Sequence, residues 1–155
     1  MNKALARVIA RAQTCAQMQP LAIKLRAARK RLVAESEQEV HAALTAAEQE
    51  ADRVGKTALV DFEAANGSQL SMLIGRAETA MSWRYAGDTE PRFLSLGDAN
   101  ATGAVAMTRD FKDRIEIPRW ALISRADGLA ALDQFVASND IPECIQWADY
   151  PPAGS

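Results

Sequence analysis

Histidine and cysteine are scarce in this chain, and their scarcity argues against several kinds of site. His41 is the single histidine, and Cys15 and Cys144 are the two cysteines. Because a metal centre needs several closely spaced ligands, we expect no metal site and no cofactor, and His41 is interpreted as a solvated helix residue beside Glu37. Two cysteines far apart in sequence fit reduced thiols in a cytoplasm, with one long-range disulfide as the alternative.

Long apolar runs and catalytic motifs are also missing. No stretch approaches the roughly 20 apolar residues that cross a bilayer, and no apolar secretory core stands at the start, so we expect a cytoplasmic protein without a membrane partner. No glycine-rich phosphate loop, nucleophile elbow or zinc-protease motif occurs, which indicates that the protein is not an enzyme. The alternating charges around Asp110, Asp113 and Glu116 suit a solvated strand edge better than acid–base catalysis.

Acidic residues are absent from the first 34 positions, which contain eight of the 18 basic residues. The remainder has ten basic and 20 acidic residues, a net charge of −10. A basic arm on an acidic body indicates contact with an anionic partner, or folding of the arm onto the body. A mitochondrial transit peptide is the alternative interpretation of the arm.

Hydrophobic spacing in the first half of the chain favours helices. We predict a helix at about residues 3–18, and then one long helix, or two, that starts at Pro20 and ends at Gly55. Two further helices are predicted at 57–65 and 69–86. A narrow alanine-rich stripe on the long helices would permit close packing, including packing in a homodimer.

The residue pattern changes after Pro91, where short alternating segments are separated by Gly, Asn and Asp. The segments RFLSL, AVAMT and RIEI are predicted strands of a small antiparallel sheet. Ser124 and Asp127 form a helix-start pattern before a helix that ends at NDIP, and CIQWADYPP is predicted to be an extended tail. The expected fold is therefore mainly α, with segments 1–55 (basic arm and long helices), 56–91 and 92–155 (a small α+β unit).

The segment 57–91 resembles the helix-turn-helix of phage-repressor (Cro-like) regulators. Gly75 falls at the position of the turn, Met81 follows six residues later, and Gly87 precedes Pro91 by four residues. The resemblance implies a small DNA-binding transcription regulator with its second helix in the major groove. It implies that the second helix contacts or flanks the bases through Thr79, Ser82, Trp83 and Arg84. The basic arm would add phosphate contacts from Arg26, Arg29 and Lys30. These seven residues are the predicted DNA-binding residues.

An alternative to the DNA-binding regulator remains open. The spacing of Leu70, Leu73, Ile74 and Met81 also fits an ordinary helical core stripe. In that case the protein would be a non-enzymatic accessory or inhibitor protein that binds a protein partner through its acidic body or its aromatic tail, where Trp147 and Tyr150 are the predicted partner-binding residues.

Overall fold

The computed structural model describes residues 18–151, which form a seven-stranded antiparallel sheet with elements packed on both faces. Strands that are neighbours in this sheet are not all consecutive along the chain. From one edge to the other its strands are β11 (Gln146–Asp149), β7 (Phe93–Leu96), β6 (Met81–Arg84), β4 (Gln69–Ile74), β3 (Ala58–Glu63), β1 (Leu21–Leu25) and β2 (Lys30–Ala34).

Two α-helices, α1 (Glu37–Val54) and α2 (Arg125–Ser138), cover one face of this sheet. Each begins at a serine whose hydroxyl accepts the third amide of the helix: Ser36 accepts from Glu39 N, and Ser124 from Asp127 N. Such caps satisfy amides that have no partner within the helix. No described helix is both long enough and apolar enough to cross a membrane.

A hairpin of β8 (Ala104–Thr108) and β9 (Arg114–Pro118) covers part of the opposite face. It is fastened to the start of β3, where Leu59 N donates to Arg109 O at 2.8 Å and Thr57 Oγ1 donates to Thr108 O at 2.9 Å. A short second pairing joins β5 (Glu78–Thr79) to β10 (Ile123–Ser124), just before α2.

The sheet therefore separates two apolar cores. Alternate residues of the central strands, such as Phe62, Leu70, Met72 and Trp83, pack under the helices. The intervening Leu73, with Ala80, Leu94, Met107 and Ala121, packs under the hairpin. All six residues of β4 are buried, because this strand is covered on both faces.

The prediction of a mainly α fold is wrong, because the segment with the helix-turn-helix resemblance consists of strands. Residues 58–63, 69–74 and 81–84 form β3, β4 and β6. Gly75 does adopt a positive φ of 96°, but in a turn between strands, where a Cβ would lie 2.6 Å from Lys56 O. The turn signal was therefore correct, and the elements that it joins were misassigned.

The predictions for the other elements had mixed outcomes. The helix predicted at about 3–18 falls outside the described residues except at its last position. The helix predicted from Pro20 is wrong: β1 and β2 form a hairpin there. The helix that ends at Gly55, the three strands after Pro91 and the Ser124 helix start are confirmed. The small sheet predicted for those three strands is wrong, because β7 belongs to the seven-stranded sheet and β8 and β9 pair only with each other.

Candidate functional site

A cleft of about 330 Å³ opens on the part of the second sheet face that lies beside the hairpin. Polar residues of the central strands form its floor, and apolar side chains of the sheet and hairpin form one wall. We call it the open cleft and define it by these lining residues: Arg26, Leu59, Gln69, Ser71, Leu73, Ser82, Arg84, Glu90, Leu94, Arg109, Ile115, Glu116, Ile117 and Tyr150.

Asp61, in the middle of β3, lies at the base of a hydrogen-bonded network beneath this cleft. Its residue exposure is only 3%. One carboxylate oxygen accepts from Arg26 Nε at 2.7 Å, and the other accepts from Ser71 Oγ at 2.6 Å and from Arg26 Nη2 at 3.3 Å. A buried carboxylate is tolerated when its charge is paired and its oxygens are hydrogen-bonded, as they are here.

The network continues across β4 to β6. Gln69 Nε2 donates to Ser71 Oγ at 3.3 Å, and Arg84 Nη2 donates to Gln69 Oε1 at 2.7 Å. The strand register explains this order, since Asp61 lies opposite Ser71 and Gln69 lies opposite Arg84. Neighbouring side chains on one sheet face are close enough to bond directly, so the fold itself positions both guanidinium groups.

An ion pair extends the polar surface towards β1. Lys24 Nζ lies 2.8 Å from Glu63 Oε2. The hydrogen bond from Lys24 lowers the pKa of Glu63, and the positive charges of Lys24, Arg31 and Arg84 lower it further, against the effect of burial. Basic groups thus surround this carboxylate on the open side of the sheet.

The arrangement suits recognition of a polar surface. Arg26 and Arg84 each use part of their five N–H donors on the network, which leaves the others for a ligand. Their side chains are held in place before binding, so little conformational entropy remains to be lost. His41 is remote from the cleft, because it lies in α1 on the other face of the sheet and bonds Asp133 of α2.

The structure brings four of the nine predicted site residues together in the open cleft: Arg26, Ser82, Arg84 and Tyr150. Arg29 and Lys30 are exposed at the β1–β2 turn and do not line it. The helix predicted from Pro20, which would have carried Arg26, Arg29 and Lys30, does not exist, since these residues lie in the turn and in β2.

Thr79 and Trp83 are buried, each with 1% exposure. Thr79 Oγ1 donates to Leu73 O at 2.7 Å, and the indole of Trp83 packs edge-on against Phe135 of α2. The outward-facing helix that was to present these side chains to a DNA groove is absent from residues 67–91, which form strands and turns instead.

The two aromatic residues of the tail occupy different environments. Trp147, in β11, is half-buried, packs against the core under the helices and donates its indole N–H to Pro142 O at 2.8 Å. Tyr150 is 38% exposed and lines the open cleft. A role of either residue in partner binding stays a prediction, and the exposure favours Tyr150.

Sequence reasoning missed Asp61, Gln69 and Ser71. The available signal was their spacing: Asp61 and Glu63, and then Gln69 and Ser71, place polar side chains two residues apart within apolar segments. A period of two indicates a strand with one polar face.

The family model of immunity protein Imm1 matches residues 28–149. The chain belongs to the Imm1 family of immunity proteins. Among the elements of residues 18–151, the match includes ten of the eleven strands in full and both α-helices. It also includes every residue that lines the open cleft except Arg26 and Tyr150. The comparison with curated proteins gave no match.

Membership of Imm1 overturns two predictions. The chain is not a Cro-like repressor, and the DNA-binding, transcription-regulating function predicted from that resemblance is wrong. A partner that is a protein agrees with an immunity protein, because such proteins act on a toxin; a DNA partner is not supported.

Proposed function

We propose that this protein is a non-enzymatic immunity protein that binds a toxin directly and blocks it, and that the open cleft contacts the toxin. Membership of Imm1 supports the first part. The second part rests on one observation, the hydrogen-bonded network of buried Asp61 and Ser71 with the partly exposed Arg26 at the base of the open cleft.

The energetics of that network favour a binding role. Paired charges inside a protein seldom stabilise the fold more than packed apolar residues of similar volume would. The neighbouring part of the same face is apolar and is covered by the hairpin. A polar network beside it, with unused donors directed at a cleft, is better explained by recognition than by folding.

The open cleft has the mixed composition of a protein-binding surface. Leu94, Ile115 and Ile117 provide apolar contact area, while Arg84, Arg109 and Tyr150 provide the residue types that dominate binding energy in interfaces. A cleft of about 330 Å³ is large enough to accept one or two side chains or a loop tip of a partner. We infer that a protruding polar segment of the toxin occupies it.

A second candidate surface is the helix layer. The two helices carry seven acidic and two basic residues, a net charge of −5 with His41 neutral. This charge suits a basic toxin, such as one that acts on nucleic acid, and it would speed association at low salt.

The cytoplasm, predicted from the sequence, is the proposed site of action.

The function can be tested by isolation of the partner and by growth rescue. The full chain, immobilised, is exposed to extract of its source cells, and each retained protein is then expressed alone and together with the chain. We expect one retained protein to arrest growth by itself and to become harmless when the chain is co-expressed. If every retained protein is harmless alone, or if a toxic one stays toxic beside the chain, the proposed function is wrong.

A further inference from the structure

A small cluster of metal-ligating side chains bridges the two helices on the side away from the open cleft. Glu37 and His41 lie four residues apart on one face of α1, and Asp133 reaches them from α2. His41 Nε2 lies 2.6 Å from Asp133 Oδ1 and 3.9 Å from Glu37 Oε1. The three ligand atoms lie within 4.8 Å of one another.

These distances fit a metal ion after small rotations of the side chains. A tetrahedral zinc ion with ligands at about 2.0–2.1 Å separates its ligand atoms by roughly 3.4 Å, between the two distances measured from the imidazole. The three side chains are 42–64% exposed, so they can rotate without disturbing the core. Their exposure also leaves the fourth position of the ion open to water.

The chemistry of the cluster favours a cation with affinity for nitrogen. Imidazole nitrogen and carboxylate oxygen are both zinc ligands, whereas calcium and magnesium prefer oxygen alone. The local charge is also favourable. Arg53 and Arg125, the two basic residues of the helices, pair with Glu50 and Glu48 and not with the cluster.

We propose that Glu37, His41 and Asp133 form a binding site for a divalent transition-metal ion, with Zn²⁺ as the best match. Bound metal would join α1 to α2 across the helix layer by coordination, in place of the present hydrogen bond between His41 and Asp133. Because the site is on the opposite face from the open cleft, the proposal does not depend on the proposed function.

The single histidine makes a direct experiment possible. Untagged full-length protein with ¹⁵N-labelled histidine is titrated with Zn²⁺, and the one set of imidazole signals is followed by NMR. We expect one saturable shift at one equivalent, with the nitrogen that is now 2.6 Å from Asp133 changing most. We also expect the Tm to rise by about 5–10 °C at a hundredfold excess of Zn²⁺ over its Kd.

Matched variants separate this site from other zinc-binding groups. Asp133→Asn and Glu37→Gln should each weaken binding at least tenfold. Asp52→Asn, which removes the same charge from an exposed position of α1, should leave it unchanged, as should Cys144→Ser. Absence of an imidazole shift at millimolar Zn²⁺, or equal binding by Asp133→Asn and the wild type, would overturn the proposal.

Discussion

At the scale of single residues, Asp61 connects the architecture of the sheet to the open cleft. Its carboxylate holds Arg26 and Ser71, and Ser71 in turn accepts from Gln69, which positions Arg84. Every polar side chain of the cleft floor except Ser82 thus traces back to one buried charge. The positions of the arginine side chains in the cleft are therefore set by residues beneath its surface.

We expect Asp61→Ala to destabilise the protein by about 1–3 kcal/mol, because Arg26 and Ser71 both lose their acceptor. Urea denaturation at pH 7 measures the change. Asp52→Ala, at an exposed position of α1, is the control and should stay within about 0.5 kcal/mol of the wild type. An Asp61→Ala variant as stable as this control would show that the network does not stabilise the fold.

Gly75 and Gly87 provide a comparison between two glycines with nearly equal positive φ, 96° and 86°. An added Cβ at Gly75 would meet Lys56 O at 2.6 Å, whereas one at Gly87 would meet no heavy atom within 4 Å. Both alanine variants carry a backbone penalty of about 1–2 kcal/mol. Gly75→Ala should be the less stable of the two, and equal Tm values would contradict this steric assignment.

The ion pair of Lys24 and Glu63 makes a pH-dependent contribution. The pKa of Glu63 is lowered below its ordinary value of 4.5, chiefly by Lys24, so the contribution is complete above about pH 5.5 and is lost as the pH falls through the lowered pKa. Glu63→Gln should therefore be less stable than the wild type by up to about 1 kcal/mol at pH 7, and this difference should shrink as the pH falls through the lowered pKa of Glu63. Denaturation curves measured from pH 7 down into the acid range test this; a difference that stays constant over that range would rule out the ionic cause.

At the scale of elements, helix ends were easier to predict than the identity of the central strands. The sequence around Ser124 carries its own start signal, and that signal depends on local hydrogen bonds alone. Replacement of Ser124 by alanine should cost about 1 kcal/mol, and replacement by glycine only a few tenths. Thermal unfolding of the two variants distinguishes them, and an alanine variant as stable as the wild type would contradict the capping role.

The strand β4 shows why the sheet was missed. Leu70, Met72 and Ile74 face the helices, while Leu73 faces the hairpin. Burial on both faces removes the alternation that marks a strand, and Leu70, Leu73 and Ile74 then show the spacing of a helix. The cover on each face comes from distant parts of the chain, so the local pattern could not reveal it.

The same reason limits what could be predicted of the site. Arg84 was selected from the helix-turn-helix resemblance, and Arg26 and Tyr150 from their charge and aromatic character. They meet because β1, β3, β4, β6 and the tail share one sheet. The grouping arises from strand order, which no local motif specifies. Asp61 was missed because its two-residue spacing from Glu63 indicates a polar strand face only once the segment is recognised as a strand, and the helix interpretation hid that spacing.

At the scale of the whole molecule, one sheet separates two surfaces of different chemistry. One surface is a helix layer with a net charge of −5, and the other holds the open cleft with Arg26, Arg84 and Arg109 beside Glu90 and Glu116. An immunity protein needs one surface for its toxin, and this division makes the two candidates separable by mutation.

The Kd of the complex with the toxin is the most direct test of the proposed interface. The pair Arg109→Ala and Tyr150→Ala alters exposed residues of the open cleft, and the pair Gln38→Ala and Asp52→Asn alters exposed residues of α1. Truncation of interface residues that dominate binding costs more than about 1 kcal/mol each. We therefore expect the cleft pair to raise the Kd at least tenfold at unchanged Tm and the α1 pair to leave it within twofold. An unchanged Kd for the cleft pair, with or without a rise for the α1 pair, would contradict the assignment.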